Sequence, residues 1–330
     1  MARATVFESA QLGKETTSGT AVSANLYIAS LGIGDPDPQG KFTPFRPSGS
    51  KFNTVMRKGK EHSILPWTMA LDYNGIVYVQ ESLFGATTPS QPDASGAPSV
   101  YRWVHKPSTG ADTPVTYTVE RGSSSRAARF VYALFNSLSF SVESNKEDSE
   151  VSGNMLAQKI EDGISMTSSP TTVAAVPILP EHWAIYIADT QTALDSATAL
   201  DNVLKVDFSY GDKNSPVFYV QRNTTFAGTA EKYADIGGLL SVEANAAGMA
   251  YLSNVRDMDE KWIRLEAEGN TIEGSYKYTW QIDIPIWFSS LPGFGDSGDV
   301  YAANFAFVAR KDSTLGSALQ ITTTNTISSI

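Results

Sequence analysis

A three-strand pattern occurs twice along this chain, and it limits the possible folds more than any other feature. In its first occurrence TYTVERG (Thr116 to Gly122) leads into an acidic-Gly turn. FVYALFNSLSFSVE (Phe130 to Glu143) then alternates over a long stretch, and EVSGNML (Glu150 to Leu156) supplies a partner strand. The second occurrence reads WIRLEAEG (Trp262 to Gly269), YKYTWQIDIPIWF (Tyr276 to Phe288) and VYAANFAFVAR (Val300 to Arg310). The offset is 146 residues for the first two strands and 150 for the partner strand. Duplicated β-units in one polypeptide can occupy equivalent places in a symmetric assembly, so a ring-building or stacking protein is expected.

The dominant period is two, the signature of strands. Tyr276, Tyr278, Trp280, Ile282, Ile284 and Ile286 form one face, while Lys277, Thr279, Gln281 and Asp283 form the other. Leu204, Val206, Phe208 and Tyr210 alternate in the same way, as do Trp183, Ile185 and Ile187. With 25 glycines and 16 prolines available for turns, this predicts a mainly β protein with antiparallel sheets, as a sandwich or barrel. Helical spacing is confined to Glu243 to Arg256 and to Ile76 to Phe84, one flanking helix per half. Ala86 to Ser99 reads as a loop. SMTSSPTTVAAVPILP (Ser165 to Pro180) places a boundary between a first β-domain with an N-terminal arm, 1–170, and a second, 171–330.

Cysteine is absent, which excludes disulfide scaffolds, thiol catalysis and Cys-ligated zinc. MARATVFESAQLGKE lacks the apolar core of a signal peptide, and no stretch reaches the about 18 apolar residues of a membrane helix. A soluble, unsecreted chain is expected. The net charge of −10 argues against wrapping around DNA. The charge is also unevenly placed. Lys41, Arg46, Lys51, Arg57, Lys58 and Lys60 occur without an intervening acid, whereas Glu143, Glu147, Asp148, Glu150, Glu161 and Asp162 are accompanied only by Lys146 and Lys159. Two readings stand: solvated loops, or complementary surfaces on successive subunits that set register.

Catalytic signatures are sparse. Gly293, Gly295 and Gly298 spell G-x-G-x-x-G, but the segment that follows alternates as a strand, so a hairpin loop is expected rather than a nucleotide site. Glu266, Glu268 and Glu273 near Trp262, Trp280 and Trp287 suggest a carbohydrate-active β-protein, a glycosidase or lectin-like module, as the alternative. Trp280 has the phase of a core residue. His62, His105 and His182 are far apart, and Asp257, Asp259 and Glu260 lack the spacing of a calcium loop. Neither a G-x-S-x-G elbow nor a P-loop occurs. A non-enzymatic chain without cofactor or metal is expected.

Several longer stretches carry a family likeness. ESAQLGKETTSGTAVSANLYIAS (with Gly13, Glu15, Thr16, Gly19 and Thr20), FRPSGSKFNT, VTYTVERG, FVYALFNSLSFSVES with VSGNML, VPILPEHWAIYIAD, VLKVDFSYGDKNSPVFYV and EANAAGMAYLSNVR with KWIRLEAEGNTIEGSYKYTWQIDI resemble the major tail (tail tube) proteins of long-tailed bacteriophages. The likeness extends from about Glu8 to Asn325. It implies tube-like β-sandwich domains, each with a flanking helix, whose sheets join across subunits into a barrel. Rings of six such domains would stack into a tube through which DNA passes without specific binding. Two tube domains per chain imply a trimeric, pseudo-hexameric ring; one tube domain plus a decoration domain implies a hexamer. Tape measure, terminator and tip proteins become the expected partners, with no membrane. The virion tail, assembled in the host cytoplasm, becomes the expected location. Ser139, Ser141, Glu143 and Glu150 are the lumen candidates, on a face of hydroxyls and carboxylates expected to offer no cation to phosphate. Arg57, Lys58 and Lys60 against Glu147 and Asp148 are the candidates for ring stacking.

Overall fold

The computed structural model describes residues 8–123, 126–144, 146, 149–220, 224–297 and 299–330. Strand makes up 51% of it and helix 9%, so the chain is mainly β. The alternating segments pair into a front sheet and a back sheet, packed through their apolar faces. In the first half, the front strand Val55–Ala70 pairs with Glu150–Ala157 on one side and with Leu31–Ile33 and Asp37–Phe45 on the other. Leu138–Glu143 continues the sheet beyond Glu150–Ala157. Behind it lie Ser9–Lys14, Tyr117–Ser123, Arg126–Phe135 and Glu161–Ile164, in that order. Trp67 of the front sheet meets Phe135 of the back sheet edge-on at 5.1 Å.

The second half repeats this order of pairings. Its front strands are Val203–Tyr210, Ile236–Glu243, Val300–Ala309 and Gly293–Ser297. Its back strands are Trp183–Ala188, Lys261–Glu273, Tyr276–Phe288 and Gln320–Asn325. Helix Ile76–Phe84 in the first half and helix Tyr251–Asp257 in the second both connect a front strand to a back strand. The two front sheets are continuous, because Leu138–Glu143 pairs antiparallel with Val203–Tyr210. One apolar core runs through both halves and includes Trp67, Phe135, Phe140, Phe208, Trp280 and Phe305, each 5% exposed or less. Burying one such side chain stabilises the fold by roughly 1.5–3 kcal/mol, and Phe140 against Phe208 places that burial across the seam between the halves.

Several sequence expectations change in detail. The segment 130–143 is two strands, Arg126–Phe135 in the back sheet and Leu138–Glu143 in the front sheet. A bulge with Tyr132 at φ 54° lies in the first of these strands. Neither acidic-Gly turn ends its strand. Gly122, at φ 144°, lies inside Tyr117–Ser123, where a Cβ would sit 2.4 Å from the Arg126 carbonyl oxygen. Gly269 lies inside Lys261–Glu273 against the Tyr73 ring. Gly293 and Gly295 belong to the strand Gly293–Ser297 rather than to a loop, and Gly298 lies outside the described residues. Glu243 closes a strand, and the helical turns begin at Ala246.

The halves also exchange strands across position 170. Thr171–Val173 pairs in parallel with Leu26–Ile28 of the first back sheet, and Tyr101–His105 pairs with Gln320–Asn325 of the second. From each front sheet a hairpin projects at the same end. In the first half it is the distal part of Asp37–Phe45 and Val55–Ala70. The Glu150–Ala157 strand stops opposite Ser63, so the arm from Ser63 to Val55 extends about 25 Å further at ~3.3 Å per residue. In the second half it is Asn214–Val217 with Gly228–Glu231. The two hairpins touch: Glu61 N–H donates to the Thr224 carbonyl at 2.8 Å and Lys60 Nζ to the Tyr219 carbonyl at 3.1 Å.

Candidate passage face and assembly edges

The face of the front sheet turned away from the core is built by alternation. Val151, Phe140 and Phe208 point into the core, so Ser152, Ser139 and Ser209 point outward. Register then aligns them. Thr68 stands opposite Ser152, Ser152 opposite Ser139, and Ser139 opposite Ser209, giving one row of hydroxyls across four strands and across the seam. The next row contains Ser141 opposite Asp207. Ser139, Ser141 and Glu150 line one depression of about 560 Å³ together with residues of this row. Three of the four lumen candidates are therefore brought together, and Glu143 follows one row on.

Glu143 corrects the expectation of a face without cations. Its carboxylate accepts from Lys205 Nζ at 3.1 Å, Lys146 Nζ at 3.2 Å and Ser141 Oγ at 3.1 Å. Lys205 also lies 3.3 Å from Asp207 Oδ2. Burial disfavours the Glu143 charge, but the Lys205, Lys146 and Ser141 bonds outweigh it and hold the carboxyl below its usual range. The bond to Glu143 raises Lys205 in turn. The strand VLKVDFSY shows Lys205, Asp207 and Ser209 on one face in the sequence. That they adjoin Glu143 and Ser139 follows from a strand pairing that periodicity does not reveal.

The stacking candidates Arg57, Lys58 and Lys60 lie on the projecting hairpin, while Glu147 and Asp148 lie outside the described residues. Some of this charge is already engaged within the chain. Lys58 pairs with Glu61 at 2.8 Å, Lys60 bonds Tyr219, and the Arg57 guanidinium sits 4.8 Å from the centre of the Phe45 ring. Lys41, Arg46 and Lys51 are exposed, as are Phe42 (60%), Phe52 (76%) and Met56 (62%). The acidic stretch is not one surface. Glu161 and Asp162 pair with Arg129 and Arg126 in the back sheet at 2.8 and 3.3 Å. Glu143 and Glu150 lie at the end of the sheet opposite the hairpin tip, since Glu150 faces Ala70 and the tip begins beyond Val55.

The continuous front sheet ends on one side in Leu31–Ile33 with Asp37–Phe45 and on the other in Gly293–Ser297. Among the described residues neither has a strand on its outer edge. The matching edge of the first half is covered. There Leu138 and Phe140 are 1% and 5% exposed, with Phe140 packed on Trp183, Phe208 and Trp280. At the open edge Phe294 and Tyr301 stack on each other at 5.9 Å and remain 47% and 64% exposed.

The residues weighed for carbohydrate or metal chemistry do not converge. Glu266 is half-buried and shifted upward by that burial, Glu268 pairs with Lys277, and Glu273 accepts from the Ser99 N–H. Trp280 is fully buried, Trp262 is 3% exposed and Trp287 44%. A cleft of about 620 Å³ beside Trp262 contains Arg264 and Asp283, which bond to each other at 2.7 and 3.0 Å. His105 lies 3.4 Å from Glu81, His182 bonds Tyr73, and His62 packs near Phe218. Among the described residues no cluster of His, Asp and Glu is arranged to hold a metal ion. No helix in that set is long and apolar enough to cross a membrane. No family model matches the chain, and no curated protein aligns with it.

Proposed function

We propose that this chain is a structural subunit that closes into rings by edge-to-edge strand pairing and stacks into a tube, the role of a tail tube protein in a long-tailed phage. The observation that carries this reading is the seam. Within one chain, Leu138–Glu143 of the first half joins Val203–Tyr210 of the second. The same kinds of edge lie open at the two ends of the sheet, Gly293–Ser297 at one and Asp37–Phe45 at the other. Joining them head to tail would repeat the seam between chains, and a heterologous contact of this kind builds closed rings when its rotation closes. It would also cover Phe294 and Tyr301 as Leu138 and Phe140 are covered. An open edge of this length is a hazard for a monomer and an asset for a subunit.

Three chains would supply six β-units and a pseudo-hexameric ring. The repeated order of pairings favours this over a hexamer of single tube domains. The polar front face then lines the passage for DNA, the basic hairpin projects from one rim, and Glu143 and Glu150 lie towards the other. This polarity suits stacking of successive rings. Tape measure, terminator and tip proteins would bound the tube, with assembly in the host cytoplasm and residence in the virion tail. Light scattering after size exclusion across a concentration series, followed by negative-stain microscopy, tests the reading. Rings or tubes are expected; a monodisperse monomer at high concentration, with or without tail extract, overturns it.

A further inference from the structure

The front face carries lysines at its seam, yet those lysines are occupied. Lys205 Nζ is within 3.1 Å of Glu143 and 3.3 Å of Asp207, and Lys146 Nζ is 3.2 Å from Glu143. Glu143 stands directly opposite Lys205 in the register, so the pair spans the seam itself. The group is balanced: two ammonium charges against two carboxylates, with Glu150 as a further acid on the same face. Beside it runs the hydroxyl row Thr68, Ser152, Ser139 and Ser209.

We propose that Glu143 and Asp207 act as masks, keeping Lys205 and Lys146 from phosphates so that a polyanion crosses this face without being held. The ligand class is the nucleic-acid backbone, and the inference rests on the reading of this face as the passage wall. A lysine binds phosphate as a point charge with N–H donors to spare. Here those donors point at carboxylates that are covalently in place and need no recruitment. Slip therefore comes from charge pairing at the seam, where Lys205 faces Glu143 across the two halves, and not from an excess of acid alone. A hydroxyl row supplies neutral contacts that a passing phosphate can exchange for water at little cost.

The test uses the assembled protein and a fluorescent DNA duplex. The variant E143Q/D207N keeps side-chain shape and removes both masking charges. Its binding at ~50 mM salt is expected to exceed the parent's at least about tenfold and to vanish near ~200 mM, since each phosphate contact adds a salt exponent of about 0.9. Adding K205Q and K146Q to that variant should return binding to the parent level. The proposal is overturned if the parent binds equally well, if E143Q/D207N gains nothing, or if removing both lysines leaves the gain intact. Circular dichroism melts of each variant exclude unfolding as the cause. Microscopy of the same samples separates the two readings. Particles that never form rings count against the tube, while a gain of DNA binding abolished by K205Q and K146Q on those particles upholds the masking.

Discussion

Glu143 and Lys205 face each other where the two halves meet, and the acid limb of stability should report that contact. The folded-state pKa of Glu143 lies below its ordinary value of 4.5. Its contribution is therefore fully present above about pH 4.5 and is lost as pH falls through the lower folded value. Denaturant melts should show Glu143→Gln destabilised relative to the parent at pH 6, with the gap narrowing at pH 3; a gap that stays constant would mean the charge is not what matters. A larger effect belongs to Arg264 and Asp283, 7% and 1% exposed and paired through two hydrogen bonds. Burial opposes the Arg264 charge, and Asp283 and Asp195 more than offset it. Asp283→Ala removes two of the Arg264 hydrogen bonds and leaves that guanidinium only the exposed Asp195 at 2.9 Å, so it should cost about 1–3 kcal/mol in chemical denaturation. In the sequence, Arg264 and Asp283 were legible only as polar-face residues of neighbouring strands. Their partnership depends on register, which the alternation leaves open by any even shift.

At the scale of elements, the chain announces its two longer helices and its alternating strands, but not the short helix Gln191–Leu194, the 16-residue strand Val55–Ala70 or where strands change sheet. Ile76 to Phe84 was legible because Gly85 ends it at φ 90°, a conformation that favours glycine. Leu138–Glu143 was hidden inside an unbroken alternation, because the Asn136–Ser137 step that carries the chain from back sheet to front sheet leaves the apolar period nearly undisturbed. In the sequence the projecting hairpin shows only as a run of cations, open to reading as a solvated loop or as a stacking surface. It is a two-stranded arm with exposed aromatic residues among its cations. Replacing Lys41, Arg46, Lys51 and Arg57 with Glu should leave the thermal melt within a few degrees of the parent, since exposed positions change stability by about 0.5 kcal/mol or less each. Tube growth followed by turbidity or microscopy should slow markedly. Growth of the parent itself should weaken with salt, because exposed charges are screened over about 8–10 Å at ordinary ionic strength. Growth indifferent to both changes would reduce the arm's charge to a solvated surface and leave its aromatic residues as the contact.

For the whole molecule, the duplicated pattern accompanies a repeated order of strand pairing, although its middle segment is two strands in the first copy and one in the second, and the exchange of Tyr101–His105 and Thr171–Val173 between halves goes beyond it. Short strands such as these carry too few residues to reveal a partner. Only the closed core, in which they cover the edges of back sheets, defines their place. The repetition nevertheless permits a test in which the corresponding strands Leu138–Glu143 and Gly293–Ser297 have opposite fates. Phe140, buried inside the chain at 5% exposure, should on change to Ala lose about 3–5 kcal/mol of stability by leaving a cavity between Trp183, Phe208 and Trp280. Phe294 and Tyr301, at the open edge, support no comparable core in the isolated chain. The double change Phe294→Ala and Tyr301→Ala should leave the melting temperature of the monomer nearly unmoved while abolishing rings in light scattering and microscopy. If that variant assembles as the parent does, the ring does not close through Gly293–Ser297. If instead it unfolds, the edge is core in its own right and the parallel with Phe140 holds within the chain alone. Loss of assembly at an unchanged melting temperature is the outcome that identifies this edge as the missing half of a seam whose other half is supplied by the next subunit.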